Sequence, residues 1–133
     1  MSPELKYLVL VCVLTGLLWV PYIVNEILVR GPMDAMGYPQ NPKPLAPWAQ
    51  RLKAAHYNAV ENLVVFAPLV LVAVVSGNHA PAIATAACVY FWARVVHAAA
   101  YTFAVPAVRT LAFVAGAAMQ MWIAWALLSA QAA

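Results

Sequence analysis

Four long apolar stretches alternate with three breaks rich in proline, glycine or polar residues. Tyr7 to Val24 is an uncharged run of 18 residues. A membrane-spanning helix needs about 20 apolar residues, and a signal-peptide core only about 7–15. The run therefore predicts a first helix over about 5–29, retained in the mature chain, with Pro21 as a kink. Apolar periodicity predicts three more helices, over about 48–75, 81–103 and 107–129. Pro47 suits a first helical turn, and Pro68 predicts a kink inside the second helix.

The first break, Gly31 to Pro47, holds five prolines and two glycines and cannot be one continuous helix. A connection of this length predicts an ordered loop packed over the helix ends, edged by Tyr38 and Trp48 at the membrane interface. Ser76 to Ala80 is a tight turn, so helices 2 and 3 are antiparallel neighbours, and Val105-Pro106 marks the next turn.

Composition settles the class. Of 133 residues, 66% are hydrophobic and 8% charged, against about 25% charged in an ordinary soluble domain. So small a chain cannot hide that much apolar surface in one core. Membrane lipid must solvate it, and the chain reads as an all-α integral membrane protein: a four-helix transmembrane bundle forming one domain over 1–133. The net charge of +3 comes from scattered residues, with no basic cluster of the kind that binds nucleic acid. Arg30, Lys43, Arg51 and Lys53 gather around the first loop and Arg109 borders the third, while the second has no Lys or Arg. The positive-inside rule then predicts a multi-pass protein of the plasma (inner) membrane, with loops 1 and 3 cytoplasmic and both termini outside. Cys12 and Cys88 sit singly in apolar stretches and read as unpaired thiols. No metal-ligand spacing is present.

Two polar constellations interrupt the apolar helices. In the second helix, Arg51, Asn58 and Glu61 fall near one face, with Asn62 beside it and His56 in the same polar run. In the third, Tyr90, Arg94, His97 and Tyr101 follow spacings of four, three and four and share a face. Polar groups at membrane depth must face other helices or a wet cavity. They mark either a functional site or a network that glues helices together. A buried Arg94 needs a partner, and Glu61 is the expected one, in the same or a neighbouring subunit. Glu26 is expected to pair with Arg30 one turn on. Arg109 and Thr110 open the fourth helix, where a cation beside free helix N–H groups would make an anion site. Gly116 and its alanine neighbours give that helix a small-residue face for close packing.

Four helices, a long first loop, His56-x-Asn58-x-x-Glu61-Asn62 in helix 2 and Arg94-x-x-His97-x-x-x-Tyr101 in helix 3 together resemble the MAPEG family. These are the membrane-associated proteins in eicosanoid and glutathione metabolism, of which this chain would be an atypical, bacterial-like member. The resemblance runs over nearly the whole chain. It implies a four-helix membrane bundle assembled as a homotrimer, with glutathione bound between subunits and its thiol activated toward lipophilic small molecules. By the same resemblance, Asn58, Glu61, Arg94, His97 and Thr110 would contact glutathione, and Arg109 with Tyr101 would be catalytic. Glutathione-binding members carry arginine directly before the helix 2 asparagine and again one turn earlier. Here those positions hold Tyr57 and Ala54, so the cationic clamps for a dianionic tripeptide are missing.

If the chemistry is retained, its physics is simple. A free thiol with a pKa of about 8.5 is only a few per cent thiolate at neutral pH. Arg109 would favour the anion, and Tyr101 could donate a hydrogen bond to it. Three functions stay open: a glutathione-dependent transferase or peroxidase, a non-catalytic protein binding a lipid or other small ligand, and a transporter or channel subunit. Internal repeats, the usual mark of the last, are absent.

Overall fold

The structure, a computed structural model, describes residues 1–130; positions 131–133 of the predicted domain lie outside the described residues. Six helices follow one another: α1 (Pro3–Leu17), α2 (Trp19–Arg30), α3 (Pro32–Met36), α4 (Pro47–Val75), α5 (Pro81–Thr102) and α6 (Pro106–Ala130). α1 and α2 are two halves of one span. Pro21 has no N–H, and its ring crowds the carbonyl four residues back, which belongs to Leu17, the last residue of α1. The Pro3–Arg30 span and α4, α5 and α6 are each long and apolar enough to cross a membrane. Their bounds match the predicted helices to within two residues. Pro68 does not interrupt α4, which stays helical through it.

α5 is the hub. It packs against α6, α4 and α1, while α4 also touches α1, α2 and α6. The composition of α5 explains this place. Its inward positions are mostly small (Ala86, Ala87, Ala93, Ala98, Ala100), so neighbours approach closely. Gly116 of α6 lies against the same helix: an added Cβ would meet the Tyr90 ring at 3.7 Å and the Arg94 Cδ at 3.8 Å.

Buried side chains form three layers. Toward the 76–80 turn, Leu8, Val11, Phe66, Val70, Ile83, Tyr90, Ile123 and Leu127 make the main apolar core, with the Phe66 and Tyr90 rings stacked at 3.9 Å. Toward the first loop, Tyr22, Leu45, Ala49 and Leu52 form a smaller cluster. Asn58, Asn62, Arg94, His97 and Gln120 form a polar layer, tied across helices by hydrogen bonds. Gln120 Nε2 donates to the Asn62 carbonyl at 2.9 Å and to the Tyr90 hydroxyl at 3.3 Å.

The connections have local causes. After Val75, the Asn78 N–H reaches the Ala73 carbonyl and the Gly77 N–H the Val74 carbonyl, with Gly77 at φ 71°. That is a Schellman close with glycine where the backbone turns left-handed. α5 ends in the same way: Val105 N–H bonds to Ala100 O and Ala104 N–H to Tyr101 O. Here the left-handed residue is Ala104, at φ 58°, a conformation that costs an L-residue about 1–2 kcal/mol. The first loop is tied down in its second half, where Ala46 N–H donates to Asn25 Oδ1, Arg30 Nε to Lys43 O and Gln50 Nε2 to Leu45 O. Its first half contains α3, and Tyr38 is fully exposed. Glu26 pairs with Arg30, as the spacing predicts. At the opposite end, Glu4 is buried and bonds His79 at 2.7 Å, tying the start of α1 to the 76–80 turn. Cys12 and Cys88 are both free thiols, and Cys12 lies exposed on the apolar surface.

Candidate functional site

The site grows from the polar face of α5. Spacings of four and three put Tyr90, Arg94 and His97 on one side of the helix, and all three are buried against α4 and α6. Tyr101, one turn further, is half-buried at the end of that stripe. The His97 and Tyr101 rings meet edge to face, 5.6 Å between centroids.

Arg94 is 2% exposed and meets no carboxylate within the described residues. Its Nη2 donates to Asn58 Oδ1 at 2.6 Å and lies 3.2 Å from His97 Nδ1. A guanidinium can only donate, so Nδ1 accepts and the His97 proton sits on Nε2. Nε and Nη1 of Arg94 are buried without a partner. Asn58 thus spends its carbonyl oxygen on Arg94, and Asn62 Nδ2 approaches the same oxygen at 3.4 Å while bonding the Asn58 backbone carbonyl at 2.9 Å.

The expected Glu61–Arg94 contact is not made within the chain. Three residues on a helix turn about 300°, so Glu61 sits about 60° further round α4 than Asn58. That rotation carries it off the face packed on α5 and leaves it exposed. The α5 face that should meet Glu61 meets Asn58 instead. The predicted shared face of Arg51, Asn58 and Glu61 is accordingly split: Arg51 and Asn58 turn toward α5, Glu61 away.

Across from α5, the first turns of α6 bring Arg109 over the Tyr101 ring, its Cζ 4.8 Å from the centroid. This cation–π contact fixes the guanidinium at the mouth of a cavity of about 240 Å³ lined by Asn58, His97, Tyr101, Arg109, Thr110 and Phe113. Five of the seven sequence-predicted site residues therefore line one cavity, Arg94 braces it through Asn58 and His97, and Glu61 lies outside it. Two details bear on the expected anion site. Arg109 is the fourth residue of α6, and its own N–H bonds the Val105 carbonyl, so it is not one of the free helix donors. The Thr110 hydroxyl donates to the Pro106 carbonyl at 3.0 Å, which leaves only its lone pairs toward a ligand.

Sequence reasoning did not single out Phe113 or the role of Arg51. Phe113 is four residues after Arg109, and that helical spacing was the available signal. Arg51 donates from Nε to the Thr102 carbonyl at 2.8 Å, and shares with Arg109 and Tyr101 an adjoining cavity of about 210 Å³. That pairing of two cations depends on where the α5–α6 turn folds back. Ala54 and Tyr57, at the positions where the resemblance expects arginine, carry no charge into either cavity; Tyr57 is exposed and stacks on His56.

Chemically, the cavity offers the Arg109 cation, the Tyr101 hydroxyl, the Nε2–H of His97 and the amide N–H groups of Asn58, a set composed of donors and suited to an anion. No curated protein and no solved structure matches this chain. The model of the MAPEG family matches residues 7–129, nearly the whole of it. With four helices able to cross a membrane and the two polar motifs meeting at one cavity, the chain belongs to the MAPEG family and is a multi-pass membrane protein.

Proposed function

We infer that the protein binds the thiol of glutathione, or of a closely related thiol, as its anion in the Arg109 cavity and directs it at lipophilic electrophiles dissolved in the bilayer. The observation that carries this reading is the Arg109 guanidinium, held over Tyr101 beside Asn58 and His97 at a site rich in donors. A fixed cation in a partly dry site favours thiolate over thiol and is already in place when the anion forms, so no reorganisation is needed at reaction. Tyr101 supplies a hydrogen bond to the sulfur. His97, fixed by Arg94, presents its Nε2–H to the ligand's polar groups.

The cavity in one chain is too small for a whole tripeptide. Its volume of about 240 Å³ lies below the roughly 300–1,000 Å³ of small-ligand sites. The outward face of α4 (Tyr57, Val60, Glu61, Val64) is exposed and is the face by which another subunit would add the second wall. In this reading the protein is a homotrimer with α4 at its centre. Glu61 of each subunit then lies on the seam facing the next subunit, while the two bare guanidinium nitrogens of Arg94 stay buried within their own chain, out of a neighbour's reach. A stable monomer by native mass spectrometry in mild detergent would remove this part of the reading.

A second reading rests on Ala54 and Tyr57: without those arginines the fold would hold a different, less anionic ligand and carry out no thiol chemistry. Calorimetric titration of glutathione into the detergent-solubilised protein, paired with turnover of a chloronitrobenzene, separates the two. Binding with glutathione-dependent turnover supports the thiol reading. Neither binding nor turnover decides for the second.

A further inference from the structure

A larger cavity lies away from the donor cluster, on the other side of the α5 C-terminal turn. It has a volume of about 490 Å³ and is lined almost wholly by apolar atoms. Leu17 and Pro21 form one wall, Trp48 a second, and Ala99, Thr102 and Phe103 the third. Its origin is the break between α1 and α2. Pro21 interrupts the helix at Leu17, and α5 lines the gap with Val95, Ala98, Ala99 and Thr102, none of them large enough to fill it. Leu17 is 60% and Phe103 75% exposed, so the groove opens onto the lipid-facing surface.

A cation borders this groove. Arg51 sits between the groove residues Trp48 and Leu52 on α4, and its Nε donates to the carbonyl of Thr102, itself a groove residue. Within the described residues Arg51 has no acidic partner. Five of the seven Lys and Arg residues of the chain (Arg30, Lys43, Arg51, Lys53 and Arg109) lie at this end of the bundle, and among the described residues only Arg30 of these is ion-paired. An apolar slot open on the lipid-facing surface, with the Arg51 cation beside it through Thr102, has the polarity of one molecule: an amphiphile with an acyl chain and an anionic head.

We propose that this groove is a binding site for an anionic phospholipid, one acyl chain lying between the α1–α2 break and α5 and the phosphate meeting Arg51. At its head end the site adjoins the donor cluster, since Arg51 also lines the cavity shared with Tyr101 and Arg109, but lipid retention requires no thiol chemistry. It makes the lipid a structural ligand that fills a gap left by Pro21 and offsets the charge of Arg51.

The test uses native mass spectrometry of the full chain released from nanodiscs of equimolar phosphatidylglycerol and phosphatidylcholine with matched chains. The wild type should retain phosphatidylglycerol about five-fold over phosphatidylcholine, the weight of one basic residue near an anionic surface. Arg51→Gln should bring that ratio to about one, and Arg51→Lys, which keeps the charge, should restore most of it. Ala99→Phe fills the groove from an exposed position and should remove retention of both lipids. Equal retention of the two lipids by the wild type would overturn the proposal. So would an unchanged ratio in Arg51→Gln, or undiminished binding in Ala99→Phe. Absence of any retained lipid, with Ala99→Phe dissociating the oligomer, would assign the groove to a second copy of the chain instead.

Discussion

Asn58→Ala tests how the buried cation of the polar layer is held. The bond from Arg94 Nη2 to Asn58 Oδ1 is 2.6 Å long and charge-assisted, with Arg94 buried and Asn58 half-buried. Neutral hydrogen bonds between membrane helices average about 0.6 kcal/mol, whereas bonds to charged groups in proteins contribute about 1.5–3 kcal/mol. The charge on Arg94, its burial and its two bare nitrogens favour the second range, because Asn58→Ala would leave the guanidinium with His97 Nδ1 alone. The expected cost is about 2 kcal/mol, roughly a thirty-fold fall in the folding equilibrium constant. In an Arg94→Leu background the cation is gone, and Asn58→Ala should then cost less than about 0.5 kcal/mol. The coupling is thus expected at about 1.5 kcal/mol, read from equilibrium unfolding of the four variants in mixed detergent micelles. Glu61 is the internal control. Within the described residues of one chain it is exposed and pairs with no cation, so Glu61→Ala should change monomer stability by under about 0.5 kcal/mol. Equal costs of Asn58→Ala with and without Arg94 would refute the reasoning. So would a Glu61–Arg94 coupling at concentrations where the protein is monomeric.

Arg109→Ala should lower glutathione-dependent turnover about 10²-fold, the scale of losing one preorganised anion stabiliser. Its stability cost should stay near the ~0.5–1 kcal/mol of an accessible cation–π contact, and Tyr101→Phe should reduce turnover less; turnover unaffected by Arg109→Ala would remove this residue from the chemistry. Ala104→Gly should stabilise the fold by about 1 kcal/mol, since the left-handed position closing α5 is held by a residue with a Cβ. A lower melting temperature for that variant would show the φ of 58° to be unstrained. Reporter fusions after residue 78 and at the C-terminus should both report the non-cytoplasmic side, and a cytoplasmic C-terminus would reverse the orientation drawn from the basic loops.

What the sequence determined by itself was everything that depends on local pattern. The number and bounds of the four membrane spans follow from apolar runs bounded by proline and glycine, and the position of Pro21 explains why the first span is two helices, but the short α3 inside the first loop was not read. Membrane residence follows from composition, since no small core could hide so much apolar surface. The α5 stripe was legible because spacings of three and four on one helix put Tyr90, Arg94 and His97 together whatever surrounds them. Contacts between helices were not legible, because they depend on the rotation of each helix about its own axis. A turn of about 60° on α4 decided that Asn58 and not Glu61 meets Arg94. The same holds for Arg51, whose place beside Thr102 and across from Arg109 depends on where the α5–α6 turn folds back. Burial of Glu4 against His79 joins residues far apart in sequence, and no local signal announces it. Residue type and spacing set which side chains share a face of one helix; packing of the apolar layers on either side set which faces meet.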